Sequence, residues 1–220
     1  MNRLVEEAAE HAGGPSPRRQ APGSLHPAAV IGALSAGLPH DAILCLDVGD
    51  HVVWFNRHFQ GSGQDIVLSG SWRTVGFALP AALAAKIVHP HRPVVAVTGD
   101  GGMTMSMAAL GTAAQHRLAV TVVLLRNGVY ASEAHQAQLE GLYPVGTGLV
   151  NPDFNGIVTA WGGTPYPVGH AEHIRPQLQA ALQADTFALI DIATVPVMPP
   201  PSPTRATVSR TAAAVGAPED

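Results

Sequence analysis

The residues best suited to chemistry in this sequence form the run Gly99-Asp100-Gly101-Gly102, which directly follows the apolar stretch 94–98. Glycines let the backbone turn tightly and approach a ligand closely, and the N–H groups at the start of a following helix attract phosphate. Asp100 adds a carboxylate, which is stable beside a phosphate only with a cation between them, and Mg²⁺ combines carboxylate, phosphate and water oxygens. The run therefore indicates a metal–diphosphate site, although a plain structural turn fits these four residues equally well.

A second polar side chain, Asn127, follows the next β-branched apolar stretch, 27 positions after Asp100. That distance accommodates one helix and one strand, so both residues are expected at the same edge of adjacent strands. An amide oxygen is a hard, neutral ligand that suits Mg²⁺. Asn127-Gly128 alone fits an ordinary turn, but the pair at this spacing predicts that Asp100 and Asn127 share one metal ion.

The elements that must position these residues follow from the hydrophobic pattern. Apolar strands alternate with helices, which is typical of a parallel sheet covered on both faces, so we predict one doubly wound α/β domain with a six-stranded parallel sheet. Ligands bind beyond the carboxyl ends of the strands in such sheets. Strands are predicted at 42–47, 65–68, 94–98, 120–125, 164–168 and 187–193, and helices at 27–36, 75–88, 106–116, 154–160 and 172–182.

Composition and the two ends of the chain narrow the class of protein. The formal net charge is −4 without a Lys/Arg cluster, so nucleic acid is not an expected partner. No apolar run reaches membrane-spanning length and the N-terminus lacks a signal-peptide core, so we predict no membrane association and a cytoplasmic location. Residues 1–25 are predicted to be a flexible tail, 26–196 the folded domain, and 197–220 a Pro-rich tail.

Several segments, in this order, resemble the thiamine-diphosphate enzymes. The resemblance is to the C-terminal, diphosphate-binding domain of acetolactate synthase, pyruvate oxidase and the 2-oxo acid decarboxylases, here as a stand-alone subunit. It extends from about residue 27 to residue 199. It is carried by residues 46–54 (LDVGDHVVW), 69–82 (SGSWRTVGFALPAA), the Asp100 run, 127–130 (NGVY) and 146–154 (GTGLVNPDF).

The resemblance implies a role for each matching position. Mg²⁺ would be held by the side chains of Asp100 and Asn127 and by the backbone oxygen of Val129. Val75 would wedge thiamine diphosphate into its bent shape, and the backbone oxygen of Arg73 would hold the pyrimidine amine. The complete set implied to contact the cofactor is Gly49, Asp50, His51, Arg73, Val75, Gly99, Asp100, Gly101, Gly102, Asn127, Val129 and Tyr130, with 49–51 and the two glycines 101 and 102 around the diphosphate.

Two positions depart from the family pattern. Arg126 stands where the family often has Asn, and Arg73 where a small residue is common, so either long side chain is a candidate for contact with substrate. Glu133 and His135, shortly after the metal loop, are candidate catalytic side chains, since a titrating imidazole could move protons during product release. A surface position on a helix is the alternative for both.

The resemblance also implies a partner. In the family, a glutamate in a second domain activates the pyrimidine ring, and none of the segments above corresponds to that domain. We therefore predict one subunit of a split thiamine-dependent enzyme, inactive alone, that decarboxylates a small 2-oxo acid or ligates the product to a second carbonyl, as acetolactate synthase does. A separate pyrimidine-binding subunit would complete a two-plus-two heterotetramer. The alternatives are a non-catalytic relic that stabilises or regulates a thiamine enzyme, and a nucleotide-binding module, which lacks the expected glycine spacing and lysine.

Overall fold

A six-stranded parallel sheet organises the protein in the computed structural model, which describes residues 23–199. The sheet order is β2-β1-β3-β4-β6-β5, and every pairing is parallel. The predicted fold class is thereby confirmed, whereas most of the two predicted tails lies outside the described residues. The strands are β1 (Ile43–Leu46), β2 (Asp65–Leu68), β3 (Val94–Gly99), β4 (Thr121–Arg126), β5 (Thr164–Val168) and β6 (Ala188–Ala193).

Helices cover both faces of the sheet. They are α1 (Pro27–Gly37), α2 (Asp50–His58), α3 (Ala78–Val88), α4 (Asp100–Ser106), α5 (Leu110–Gln115), α6 (Ala131–Leu139), α7 (Phe154–Ala160) and α8 (Ile174–Leu182), with 3₁₀ turns at Met107–Ala109 and Ala171–His173. Successive strand residues point to opposite faces. Leu44 and Leu46 accordingly pack with α1, α2 and α8, while Ile43 and Cys45 pack with α3, α5 and α7. Within residues 23–199, none of the helices combines the length and the apolar character that a bilayer crossing requires.

Two helix starts and two whole helices differ from the predictions, and the differences concern the ligand loops. Helix α4 begins at Asp100, not near Ser106, so the glycines of the run form its first turn. Helix α3 begins at Ala78 rather than Val75, because Gly76 adopts a left-handed backbone with φ of 87° that a helix cannot contain. Helices α2 and α6 were not predicted, since polar residues dominate both and each buries only three side chains.

The edge strand β2 is unlike the central strands. All four of its residues are exposed, whereas the first five residues of β3, β4 and β6 are buried. Ile66 and Leu68 are 40% and 50% exposed, and Trp72, just beyond the strand, is 89% exposed. The helical layers therefore end before this edge of the sheet.

Candidate functional site

An open cleft of about 320 Å³ lies at the carboxyl ends of β1, β3 and β4. Loops that follow parallel strands emerge at this edge, which is where α/β sheets bind ligands. The cleft gathers every residue that the sequence predicts to contact a cofactor. These are Gly49, Asp50, His51, Arg73, Val75, Gly99, Asp100, Gly101, Gly102, Asn127, Val129 and Tyr130. We call this space the candidate cleft; the individual roles of these residues stay predictions.

Asp100 connects three segments at the centre of the candidate cleft. Its carboxylate is almost fully buried, and Oδ2 accepts hydrogen bonds from the backbone N–H of Gly128 and from Nδ2 of Asn151, both at 2.6 Å. Within the described residues, Oδ1 accepts no hydrogen bond. One carboxylate oxygen thus fixes the loop after β4, while the other stays available to a ligand. Asn151 lies in a segment that resembles the family, 146–154, but the sequence does not predict its contact with Asp100.

The loop after β4 holds the second predicted metal ligand. Oδ1 of Asn127 accepts a hydrogen bond from the backbone N–H of Val129 at 3.1 Å. The loop is braced from outside, because Tyr130 N–H donates to Thr147 O and Leu149 N–H donates to the oxygen of Gly128, both at 2.8 Å. Asp100 and this loop therefore form one hydrogen-bonded unit beside the cleft.

The first turn of α4 has no room for side chains. A Cβ on Gly101 would collide with the ring of Tyr130, and a Cβ on Gly102 would lie 2.5 Å from Oδ2 of Asp47 and 2.6 Å from Oγ1 of Thr98. Gly99 precedes the helix in an extended conformation and makes no side-chain capping bond. Glycine at these two positions therefore lets Tyr130, Asp47 and Thr98 pack directly against the backbone of α4, while the turn itself lines the cleft.

Asp47, which sequence reasoning passed over, fixes the turn that carries Val75. Its Oδ1 accepts hydrogen bonds from the N–H groups of Gly76 and Val48, and its Oδ2 accepts one from Thr98 Oγ1, each at 2.8 Å. The buried carboxylate thereby joins the ends of β1 and β3 to the start of α3. Its place immediately after an apolar strand, as with Asp100 after β3, was the signal that could have identified it.

His51 is the one buried imidazole that lines the candidate cleft. It follows Gly49, whose φ of 149° and ψ of −177° belong to a region that only glycine adopts readily. Burial lowers the pKa of His51, and the nearby carboxylates of Asp47, Asp50 and Asp100 offset this only in part. The ring lines the cleft, and its buried Nε2 has no hydrogen-bond partner among the described residues.

The two candidate catalytic residues are placed differently. Glu133 lines the candidate cleft, whereas His135 does not. The His135 side chain is mostly buried, with Nδ1 2.5 Å from Oδ2 of Asp50. Oδ1 of the same carboxylate accepts a hydrogen bond from Ser132 Oγ at 2.7 Å. Asp50 thus joins the start of α2 to α6, and His135 belongs to this contact rather than to the cleft surface.

The two arginines that depart from the family pattern also separate. Arg126 does not line the candidate cleft, because its Nε and Nη2 donate to the two carboxylate oxygens of Asp191 on β6 at 2.9 and 3.2 Å. Arg73 does line the cleft, with a left-handed backbone at φ of 50°. That conformation explains why a small residue suits this position, since glycine adopts it without strain.

Comparison with known proteins decides the family. Residues 47–192 match the model of the family described as "Thiamine pyrophosphate enzyme, C-terminal TPP binding domain". The chain belongs to this family. The predicted resemblance is confirmed, and the match favours thiamine pyrophosphate over the nucleotide-binding alternative. All of the predicted cofactor contacts in the candidate cleft lie within the stretch that the family model covers.

Relatives of this thiamine pyrophosphate domain are much longer than the chain. A Bacillus subtilis protein, YdaP, described as thiamine pyrophosphate-containing, is 35% identical over 76% of this chain and 29% of its own length. The catabolic acetolactate synthase of Raoultella terrigena is 32% identical over 77% of this chain and 30% of its own. A solved structure, the thiamine diphosphate-dependent 4-hydroxybenzoylformate decarboxylase of Rhodococcus jostii RHA1, superimposes with a TM-score of 0.72 at 29% identity, covering 80% of this chain and 33% of that one. The chain thus spans about 30% of the length of these relatives.

Proposed function

We propose that the protein binds thiamine diphosphate through Mg²⁺ and is one subunit of an enzyme that decarboxylates a 2-oxo acid or ligates the product to a second carbonyl. The observation that carries the proposal is the candidate cleft, which gathers the predicted cofactor contacts within the stretch that matches the family. Relatives named as acetolactate synthases and a neighbour named as a decarboxylase support this class of reaction.

The charges that line the candidate cleft favour a metal ion. The lining includes the carboxylates of Asp50, Asp100 and Glu133. A diphosphate would be repelled by them unless a divalent cation lay between. The donor set fits Mg²⁺, since Asp100 Oδ1 accepts no hydrogen bond from the described residues, and Asn127 and Val129 would add an amide and a backbone oxygen.

Two features fit the diphosphate itself. Gly101 and Gly102 line the cleft in the first turn of α4, and the backbone N–H groups at the start of a helix suit a phosphate. His51 lines the same cleft with a buried Nε2 that has no partner among the described residues, and a ligand that reached this nitrogen would offset the cost of leaving it unpaired. Because burial lowers the pKa of His51, the ring is neutral at neutral pH and Nε2 donates or accepts according to its tautomer.

When bound, thiamine diphosphate supplies the nucleophilic carbon and the electron sink that 2-oxo acid decarboxylation needs. The chain's own residues would hold and orient it. Asp47 anchors the turn that carries Val75, so Val75 would support the cofactor and the backbone oxygen of Arg73 would hold the pyrimidine amine. Glu133 is the titratable side chain of the pair 133 and 135 that faces the cleft, so we assign it, rather than His135, as the candidate for proton transfer.

A partner subunit is part of the proposal. The chain corresponds to the C-terminal domain of relatives more than three times its matched length, and the family's activating glutamate lies in another domain. We propose that a separate pyrimidine-binding subunit supplies this glutamate in a two-plus-two heterotetramer, so that the chain is inactive alone. The alternative is a non-catalytic relic. The retention of both Asp100 and Asn127 favours the enzyme, because a relic has no use for two metal ligands.

Calorimetric titration of thiamine diphosphate with Mg²⁺ tests the binding site. We expect saturable binding that requires the metal and is lost in Asp100→Asn, which keeps the shape of the side chain but removes its charge. Asp185→Asn makes the same change at an exposed aspartate outside the cleft and should bind normally. If Asp100→Asn and Asp185→Asn bind equally well, the metal site is wrong.

Catalysis is tested by release of CO₂ from a panel of 2-oxo acids. The assay compares the chain alone with the chain co-expressed with the product of the neighbouring reading frame. Turnover only in the complex supports the split enzyme. Enzymatic turnover by the chain alone contradicts the partner subunit, and cofactor binding without turnover in the complex favours the relic.

A further inference from the structure

The side chains that line the candidate cleft carry more negative than positive charge. Three carboxylates, Asp50, Asp100 and Glu133, line the cleft, and His51 is held neutral by burial. Arg73 is the permanently charged cation among the lining residues. A 2-oxo acid carries its own carboxylate, and Arg73 is the side chain of this lining that would attract it by charge.

Arg73 also lines a second space, which we call the side pocket. It has a volume of about 470 Å³ and shares a wall with the candidate cleft, formed by Val48, Gly49, Val53 and Arg73. Arg57 is the other cation in its lining. The one carboxylate there belongs to Asp47, whose oxygens already accept three hydrogen bonds. The described side chains thus bring two guanidinium groups and one hydrogen-bonded carboxylate to the lining of the side pocket.

The backbone at Arg73 indicates that the side chain is retained for a purpose. Two residues other than glycine have a left-handed backbone within residues 23–199, Arg73 and Arg117. This conformation is costly for any residue with a Cβ. At Arg117 it terminates helix α5, with the N–H bonded to Ala114 O at 3.2 Å. Arg73 lies where the candidate cleft meets the side pocket. A strained backbone at a binding site indicates a functional role for the residue that adopts it.

We propose that Arg73, with Arg57 nearby, makes the side pocket a binding site for a small oxyanion, the carboxylate or phosphate group of a substrate. A guanidinium matches either group, because its planar fork donates two parallel hydrogen bonds. Within residues 23–199, Arg73 forms no salt bridge, unlike Arg92 and Arg126, which pair with Asp65 and Asp191. The assignment of the oxyanion to a substrate rests on the proposed function; the site itself does not.

Calorimetric titration of the 220-residue chain at low ionic strength tests the site, with pyruvate, inorganic phosphate and uncharged methyl pyruvate as probes. Arg73→Gly removes the guanidinium and relieves the backbone strain, and Arg117→Gly relieves the same strain away from the cleft. We expect saturable binding of pyruvate or phosphate, weakened about tenfold or more in Arg73→Gly, weakened less in Arg73→Lys and unchanged in Arg117→Gly. A preference for pyruvate indicates that the site binds the carboxylate of a substrate. A preference for phosphate indicates that it binds a phosphate group of a substrate.

The outcomes separate this inference from the proposed function. Equal binding by the wild-type chain and Arg73→Gly, equal binding of pyruvate and its methyl ester, or no binding by the wild-type chain overturns the anion site. Thiamine diphosphate with Mg²⁺ is titrated into the wild-type chain in parallel. Anion binding that depends on Arg73 without cofactor binding refutes the proposed function alone, and the converse refutes the anion site alone.

Discussion

Replacing Asp191 by Asn tests whether the pair Arg126–Asp191 stabilises the end of β4, which precedes the predicted metal ligand Asn127. The Asp191 side chain is 6% exposed and accepts from Nε and Nη2 of Arg126 and, at 2.9 Å, from Nδ2 of Asn155. Asn has the same shape, but it removes the charge and turns an NH₂ group toward these donors. Breaking a buried ion pair costs about 3–5 kcal/mol, and because Arg126 is 34% exposed and can be rehydrated, we expect about 2–3 kcal/mol.

Urea unfolding measures this loss. With a slope of roughly 2 kcal/mol/M, the midpoint should fall by about 1 M at unchanged slope. Asp185→Asn is the matched control, since Asp185 is exposed, and it should stay within about 0.5 kcal/mol of wild type. The double variant Arg126→Met with Asp191→Leu should recover much of the loss, because an apolar pair needs no charge partner. Equal midpoints for Asp191→Asn and Asp185→Asn would refute the reasoning.

Three further predictions concern single positions. Gly102→Ala should lower the free energy of unfolding in urea by about 1–3 kcal/mol, because its Cβ would press on the buried Asp47 carboxylate. The control Gly32→Ala, in an open part of α1, should instead stabilise the protein by about 0.5–1 kcal/mol. Destabilisation by both variants would contradict the stated cause. Because the pKa of His51 is lowered in the folded state, the folded state binds fewer protons than the unfolded state, and the free energy of unfolding should fall as the pH drops below the unfolded pKa of 6.5. This fall should be less steep in His51→Gln. Identical pH profiles of the two proteins would show that His51 does not titrate in this way. Burial raises the pKa of the Cys45 thiol to about 12, so a thiol reagent at pH 8 should label it only after unfolding, and rapid labelling of the folded chain would exclude a buried thiol.

Much of the candidate site could be predicted because its residues follow buried strands. A run of apolar residues marks a central parallel strand, and the topology of such a sheet brings all carboxyl ends to one edge. Asp100 and Asn127 were therefore expected together from sequence spacing alone. The hydrogen bond from Gly128 N–H to Asp100 is a contact between two neighbouring strand ends.

The supporting contacts could not be predicted, since they depend on packing between segments far apart in the chain. Asn151 reaches Asp100 across 51 positions, and Asp47 reaches Thr98 across the same separation. Arg126 precedes a predicted metal ligand, which suggested a place in the cleft. The strand register instead pairs it with Ala193, and Asp191, two residues earlier, shares its face of the sheet. Sequence neighbours at a strand end can thus have opposite environments.

The bare edge at β2 has a practical consequence for preparing the protein. Within residues 23–199 no strand pairs with the outer side of β2, so one row of its backbone N–H and C=O groups is unpaired there, and Ile66, Leu68 and Trp72 add exposed apolar surface beside it. A strand of a second copy can pair with the backbone of such an exposed edge. We expect the chain expressed without a partner subunit to self-associate, so that light scattering rises with protein concentration. Ile66→Lys should suppress this association. Crystallisation and activity assays should therefore start from a co-expressed complex in which the β2 edge is covered.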